Sequence, residues 1–157
     1  MTKNKIKKYI EEVLSFLDNK SFKKISLSFS KKVNRTGVFK DNKNIFYLEI
    51  GKDTFNECKK NKGNEKNVIQ YIICHEYGHI YHDTNYNTYK EKVESEYKAE
   101  RYGLNKLKKY FPEAYKWAIL EGRRVLKDKK WGKSKREKHY RIAWNRIREY
   151  NPKRRKK

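Results

Sequence analysis

His75, Glu76 and His79 stand in the run His75-Glu76-Tyr77-Gly78-His79, the spacing at which one helical turn offers two imidazoles and a carboxylate to a single metal ion. Residues four apart on a helix differ by about 40° in azimuth and about 6 Å in rise, so His75 and His79 project toward one point. Glu76, about 100° round the helix, is badly placed as a ligand but well placed to act on a water beside the ion as general base. A zinc ion (Zn2+) lowers the pKa of such a water toward neutrality, which is why a carboxylate suffices.

A catalytic zinc takes three protein ligands and keeps one position open, so a third donor is needed. The segment after the loop supplies Glu94, Glu96 and Glu100. If the motif helix ends near Asp83 and the chain returns from about Lys92, Glu96 lies about 6 Å into the return helix, level with His79, and is the expected ligand. Glu100 comes level with His75, where it can accept the second ring N–H of a ligating histidine and fix its tautomer. Glu94 is turned about 200° from Glu96 and faces solvent. Glu96, Ala99, Glu100 and Gly103 share a face whose small members allow close packing near Gly78.

The elements needed to place these groups are readable. Ile6, Ile10, Val13, Leu14 and Leu17 recur at helical spacing, with Phe16 beside them, and predict a helix from about Asn4 to Asn19. Alternation of Ile25, Leu27 and Phe29 with serines predicts a strand; Val38-Phe39 and Ile45 to Ile50 predict two more. With Asp41-Asn42-Lys43-Asn44 as a turn, these form a small antiparallel meander. A short helix from Asp53 or Thr54 through Cys58 and a loop over Lys60 to Asn64 lead to the motif helix, Glu65 to His82. The return helix runs from about Glu91 to Tyr110, and Pro112 opens another reaching Leu126. After a basic linker from Lys127 to Lys138, Tyr140, Ala143, Trp144, Ile147 and Tyr150 give a last helix an aromatic face, and Lys153 to Lys157 read as a disordered tail.

This pattern resembles the gluzincin metallopeptidases from about Ile45 to Leu104. Their HExGH is followed by Glu-x-x-Ala-Asp or Asn-x-aromatic-small, matched by Glu96-Tyr97-Lys98-Ala99-Glu100-Arg101-Tyr102-Gly103, with Glu100 replacing the usual Asp or Asn. The soluble ImmA/IrrE-like and the membrane HtpX-like peptidases share it, and a chain without apolar runs long enough for a span is more similar to the first. The resemblance implies a zincin fold in which an edge strand, Ile45 to Ile50, holds an extended substrate. It also implies Glu96 as third ligand, Glu76 as base and, as in ImmA/IrrE-like relatives, a DNA-bound regulator as substrate. Asn85 where a metzincin has histidine, Met1 as the only methionine, and no cysteine ribbon exclude the metzincin and SprT-like alternatives. Tyr77, Tyr81, Tyr97 and Tyr102 are candidates to stabilise an oxyanion or are packing tyrosines. His82 either supports the ligands or is a helix-end histidine.

The expected fold is therefore α+β: a minimal zincin over residues 1–126 and a basic helical extension with its tail over residues 127–157. Charge marks the division. Of the net charge of +23, residues 121–157 carry +13, from 17 lysines and arginines against 4 acidic residues, and eight of ten arginines follow residue 121. Arg136, Arg141, Arg146, Arg148, Arg154 and Arg155 are candidates for non-specific phosphate contacts, although A/T-rich codons also favour lysine. The alternative function is thus a basic nucleic-acid-binding protein whose metal site is structural or inactive. Cys58 and Cys74 lack metal or disulfide spacing, and with no signal peptide or membrane span the expectation is a cytoplasmic protein. Its partners would be a protein or peptide substrate.

Overall fold

The structure, a computed structural model, describes residues 2–17, 25–30, 32–43, 45–82, 86–128 and 138–149. It is α+β and mostly helical. The elements are α1 (Lys3–Leu17), β1 (Ile25–Phe29), β2 (Gly37–Lys40), β3 (Phe46–Ile50), α2 (Lys52–Lys60), α3 (Glu65–His82), α4 (Tyr89–Tyr110), α5 (Pro112–Lys127) and α6 (Lys138–Glu149). Among the described residues no helix is long and apolar enough to cross a membrane.

The sheet is mixed, in the order β1-β3-β2, and not the expected antiparallel meander. β1 runs parallel to β3, with Leu27 opposite Leu48, and β2 runs antiparallel to it, with Phe39 opposite Tyr47. Hydrogen bonding in the β1–β2 connection explains the difference. Ser30 N donates to Ile50 O at 3.2 Å, Lys52 N to Val33 O at 3.1 Å and Asp53 N to Asn34 O at 3.0 Å, pinning the connection to the end of β3. Thr36 N donates to the Asp53 carboxylate at 2.9 and 3.0 Å, and Gly51 N to Thr36 Oγ1 at 2.9 Å. The chain is thereby carried past β3 before β2 begins. Only the β2–β3 link is a hairpin, closed by Asp41, whose Oδ1 accepts from Lys43 N and Ile45 N at 2.9 Å each. β3, with Phe46, Leu48 and Ile50 all buried, occupies the centre that its apolar face requires.

The core joins α1 (Ile6, Ile10, Val13) to β3 and to α3 (Val68, Ile69, Ile73). α4 starts at a capping box in which Glu91 N donates to Thr88 Oγ1 and the Glu91 side chain accepts from Thr88 N. α3 and α4 pack antiparallel and very closely. A Cβ at Gly78 would lie 2.6 Å from Ala99 O and 2.7 Å from Ala99 Cα, and one at Gly103 would lie 3.0 Å from His75 N. α6 packs on α4, burying Ala143 and Trp144. The predicted linker residues 129–137 and tail residues 153–157 lie outside the described residues.

At Gly78, overpacking of about 3 kcal/mol against a helix backbone outweighs roughly 1 kcal/mol gained in helix propensity. Gly78→Ala is thus expected to lower stability in urea by about 2 kcal/mol. Gly37→Ala, where nothing lies within 4 Å, should change it little. Equal stability of the two variants would contradict the close approach.

Candidate metal centre

His75, His79 and Glu96 come together as the sequence predicts. His75 Nε2 lies 3.3 Å from His79 Nε2 and 3.3 Å from Glu96 Oε2, and His79 Nε2 lies 3.6 Å from Glu96 Oε2. A tetrahedral ion with bonds of about 2.0–2.1 Å keeps its donors about 3.3–3.4 Å apart, so the triangle already has the right size. Glu96 Oε2 is buried and makes no hydrogen bond of its own, a costly state that a cation between the three donors would relieve. Two nitrogens and one carboxylate oxygen suit a first-row transition-metal dication such as zinc or iron(II).

Each imidazole is oriented from behind. His75 Nδ1 donates to Glu100 Oε2 at 2.8 Å, and that oxygen also accepts from Tyr71 Oη at 3.0 Å. His79 Nδ1 lies 3.1 Å from Ser95 Oγ. With Nδ1 as the donor in both rings, the state a bound metal would require, both Nε2 lone pairs would face the shared point. Glu100 therefore sits where the sequence placed it, its extra methylene notwithstanding. Ser95 and Tyr71 were not foreseen, although Ser95 directly precedes Glu96 and so lies at the level of His79.

Burial raises the Glu96 carboxyl, but the two imidazoles beside it win and hold it well below the usual range. For His75, burial acts downward and is outweighed by hydrogen bonding to Glu100 and by Glu96, so its pKa stands well above the ordinary value. Glu76 is half-buried beside the triangle; burial pushes its carboxyl up, against the pull of His75 and His79. That shift suits a group that must take up and release a proton.

Two residues from α6 reach the site, and sequence reasoning missed their role. His139, 1% exposed, has Nε2 3.6 Å from Glu96 Oε1, and its ring packs on Tyr140 at 4.1 Å between centroids. Burial holds the His139 pKa below its ordinary value. The Tyr140 ring centroid is 6.5 Å from that of His75, and burial, with Glu96 and Glu76 adding, raises its hydroxyl. The signal available was the helical spacing of His139 and Ala143, four apart on one face, which the structure buries.

The other candidates go elsewhere. His82 is exposed, with its ring 5.1 Å from Tyr81 and 6.1 Å from Tyr102. Tyr102 stacks with Tyr77 and Tyr81, and Tyr97 lies under the guanidinium of Arg146 at 3.9 Å. Glu94 faces away from the triangle to pair with Arg146 at 2.7 Å. Arg141 donates to Leu126 O at 3.1 Å and Asp128 O at 3.0 Å, closing the end of α5. Arg136, Arg154, Arg155 and the side chain of Arg148 lie outside the described residues.

Comparison with models of known protein families, with curated proteins and with solved structures returns no match to this chain.

Because the metal-free fold keeps the proton on His75 to a higher pH than usual, a metal must displace it. Calorimetry of zinc binding near pH 7 in buffers of different ionisation heat should show release of about one proton, with affinity falling as pH drops. Binding without proton release would contradict this electrostatic account.

Proposed function

We propose that the protein is a zinc-dependent endopeptidase acting on a protein substrate, with His75, His79 and Glu96 as ligands and Glu76 as general base. The observation that carries this reading is the triangle of donors at coordination spacing with a half-buried carboxylate one residue along the helix from the first ligand. Zinc bound there would supply Lewis acidity, polarising a scissile carbonyl and lowering the pKa of a water.

The chain's own residues divide the remaining work. Glu100, an acceptor only, holds His75 in the ligating tautomer, and Ser95 orients the His79 ring from Nδ1. Glu76, raised by burial, accepts a proton from water and passes it to the departing amine, so the same carboxylate serves both halves of hydrolysis. The Tyr140 hydroxyl, next to the charges of Glu96 and Glu76, stays protonated and available as a donor.

The sheet changes where a substrate would align. β3, the strand expected to receive it, is paired on both sides, so its backbone is not free. β2 packs against α3, and its outer edge pairs with no strand among the described residues. An extended peptide would add there through main-chain hydrogen bonds. The two buried, unpaired cysteines suit a reducing compartment.

Glu76→Gln should bind zinc as the wild type does while losing about 10²–10⁴-fold in turnover, because only the base is removed. His79→Ala should lose the stoichiometric metal. Comparing protein fragments in cells expressing wild type and Glu76→Gln tests the activity, and identical fragment sets would remove the case for proteolysis.

A further inference from the structure

Glu96 offers the site one oxygen, Oε2, facing His75 and His79, and leaves Oε1 directed to the other side. What lies there is His139, delivered from α6, across 43 residues of chain from Glu96. Its Nε2 is buried and has no hydrogen-bond partner. Burying a ring N–H or a ring lone pair without a partner is costly. A lone pair turned toward a carboxylate would also be repelled, so the proton must sit on Nε2. At 3.6 Å that N–H is a few tenths of an ångström beyond hydrogen-bond range. Bringing the carboxylate and the ring together requires only that Glu96 be fixed in place, as a ligand is.

We propose that His139 is the positioning residue for the third ligand: Nε2–H of His139 holds Glu96 Oε1 so that Oε2 is presented to the metal, and α6 thereby becomes part of the metal centre. The arrangement completes a pattern already present for the other two ligands, since Glu100 backs His75 and Ser95 backs His79. It also gives a reason for a histidine on the inner face of a helix that otherwise buries Ala143 and Trp144. His139 is not itself counted as a ligand, because its close approach is to the oxygen turned away from the imidazoles. The inference rests on the zinc-site reading above but not on proteolysis.

The test uses the full chain with His139→Gln and His139→Met, side chains of similar volume of which only Gln carries an N–H. Zinc affinity is measured by competition with a chromophoric chelator, and the rise in melting temperature on adding zinc reports the same quantity should a metal-free variant be poorly folded. Expected are a 10–100-fold loss for His139→Met and near-wild-type affinity for His139→Gln. Wild-type affinity in both variants, or an equal loss in both, would overturn the proposal, because the N–H would then not matter. Cobalt-loaded wild type and His139→Gln should show the same visible bands; a changed ligand field would make His139 a ligand and also overturn it. Absence of zinc binding in the wild type would sink the metal reading itself, and this inference with it.

Discussion

The close approach of α3 and α4 is the constraint on which the rest depends. With no side chain at Gly78 or Gly103, the two helix backbones meet where a Cβ would collide at Gly78 and be tight at Gly103. Contact at that range brings a carboxylate from α4 to within 3.3–3.6 Å of two imidazoles on α3. A side chain at Gly78 would force the helices to shift, and a coordination triangle tolerates only a few tenths of an ångström. The antiparallel direction matters equally. It sets Ser95 against His79 and Glu100 against His75, so that Glu96 and the groups behind both imidazoles come from successive turns of one helix.

The approach has an electrostatic cost. Glu96 and Glu100 are buried, Glu76 is half-buried, and Glu96 Oε2 and Glu100 Oε1 lack hydrogen-bond partners. Gathering carboxylates away from water costs several kcal/mol each unless charge is compensated. Without a metal, protonated His75 supplies part of the compensation, which is why its pKa stands so high despite burial. A dication held between the three donors would do so more fully and would satisfy Oε2 directly. Protonation of His75 and metal binding are thus competing solutions to the same excess of negative charge.

What could be read from the sequence follows from the range of the forces involved. The relation of His75 to His79 is fixed by helix geometry alone, and that of Glu96 to His79 by the helix plus a short loop, so both were legible. Strand positions were likewise given by local alternation. Sheet order was not, because it is decided by the bonds of Thr36 to Asp53 and Gly51, between residues with no periodic signature. The aromatic spacing of α6 indicated a packed face but not its partner. His139 consequently gave no sign of its neighbour, while Tyr77 and Tyr102, close to the motif in sequence, stack with each other instead.

The basic C-terminal segment looks different once its contacts are known. Arg146 pairs with Glu94 and covers the ring of Tyr97, both on α4, while Arg141 closes the end of α5. Positive charge on α6 therefore does part of its work inside the molecule, seating a cationic helix against the helix that carries Glu94, Glu96 and Glu100. Such seating is directional: Arg146 on α6 meets Glu94, two residues before Glu96, in the register in which α6 packs on α4. In that register the first turn of α6 reaches Glu96. The same charge pattern that suggests a polyanion partner is thus, for the arginines whose side chains are described, a means of bringing His139 and Tyr140 to the site.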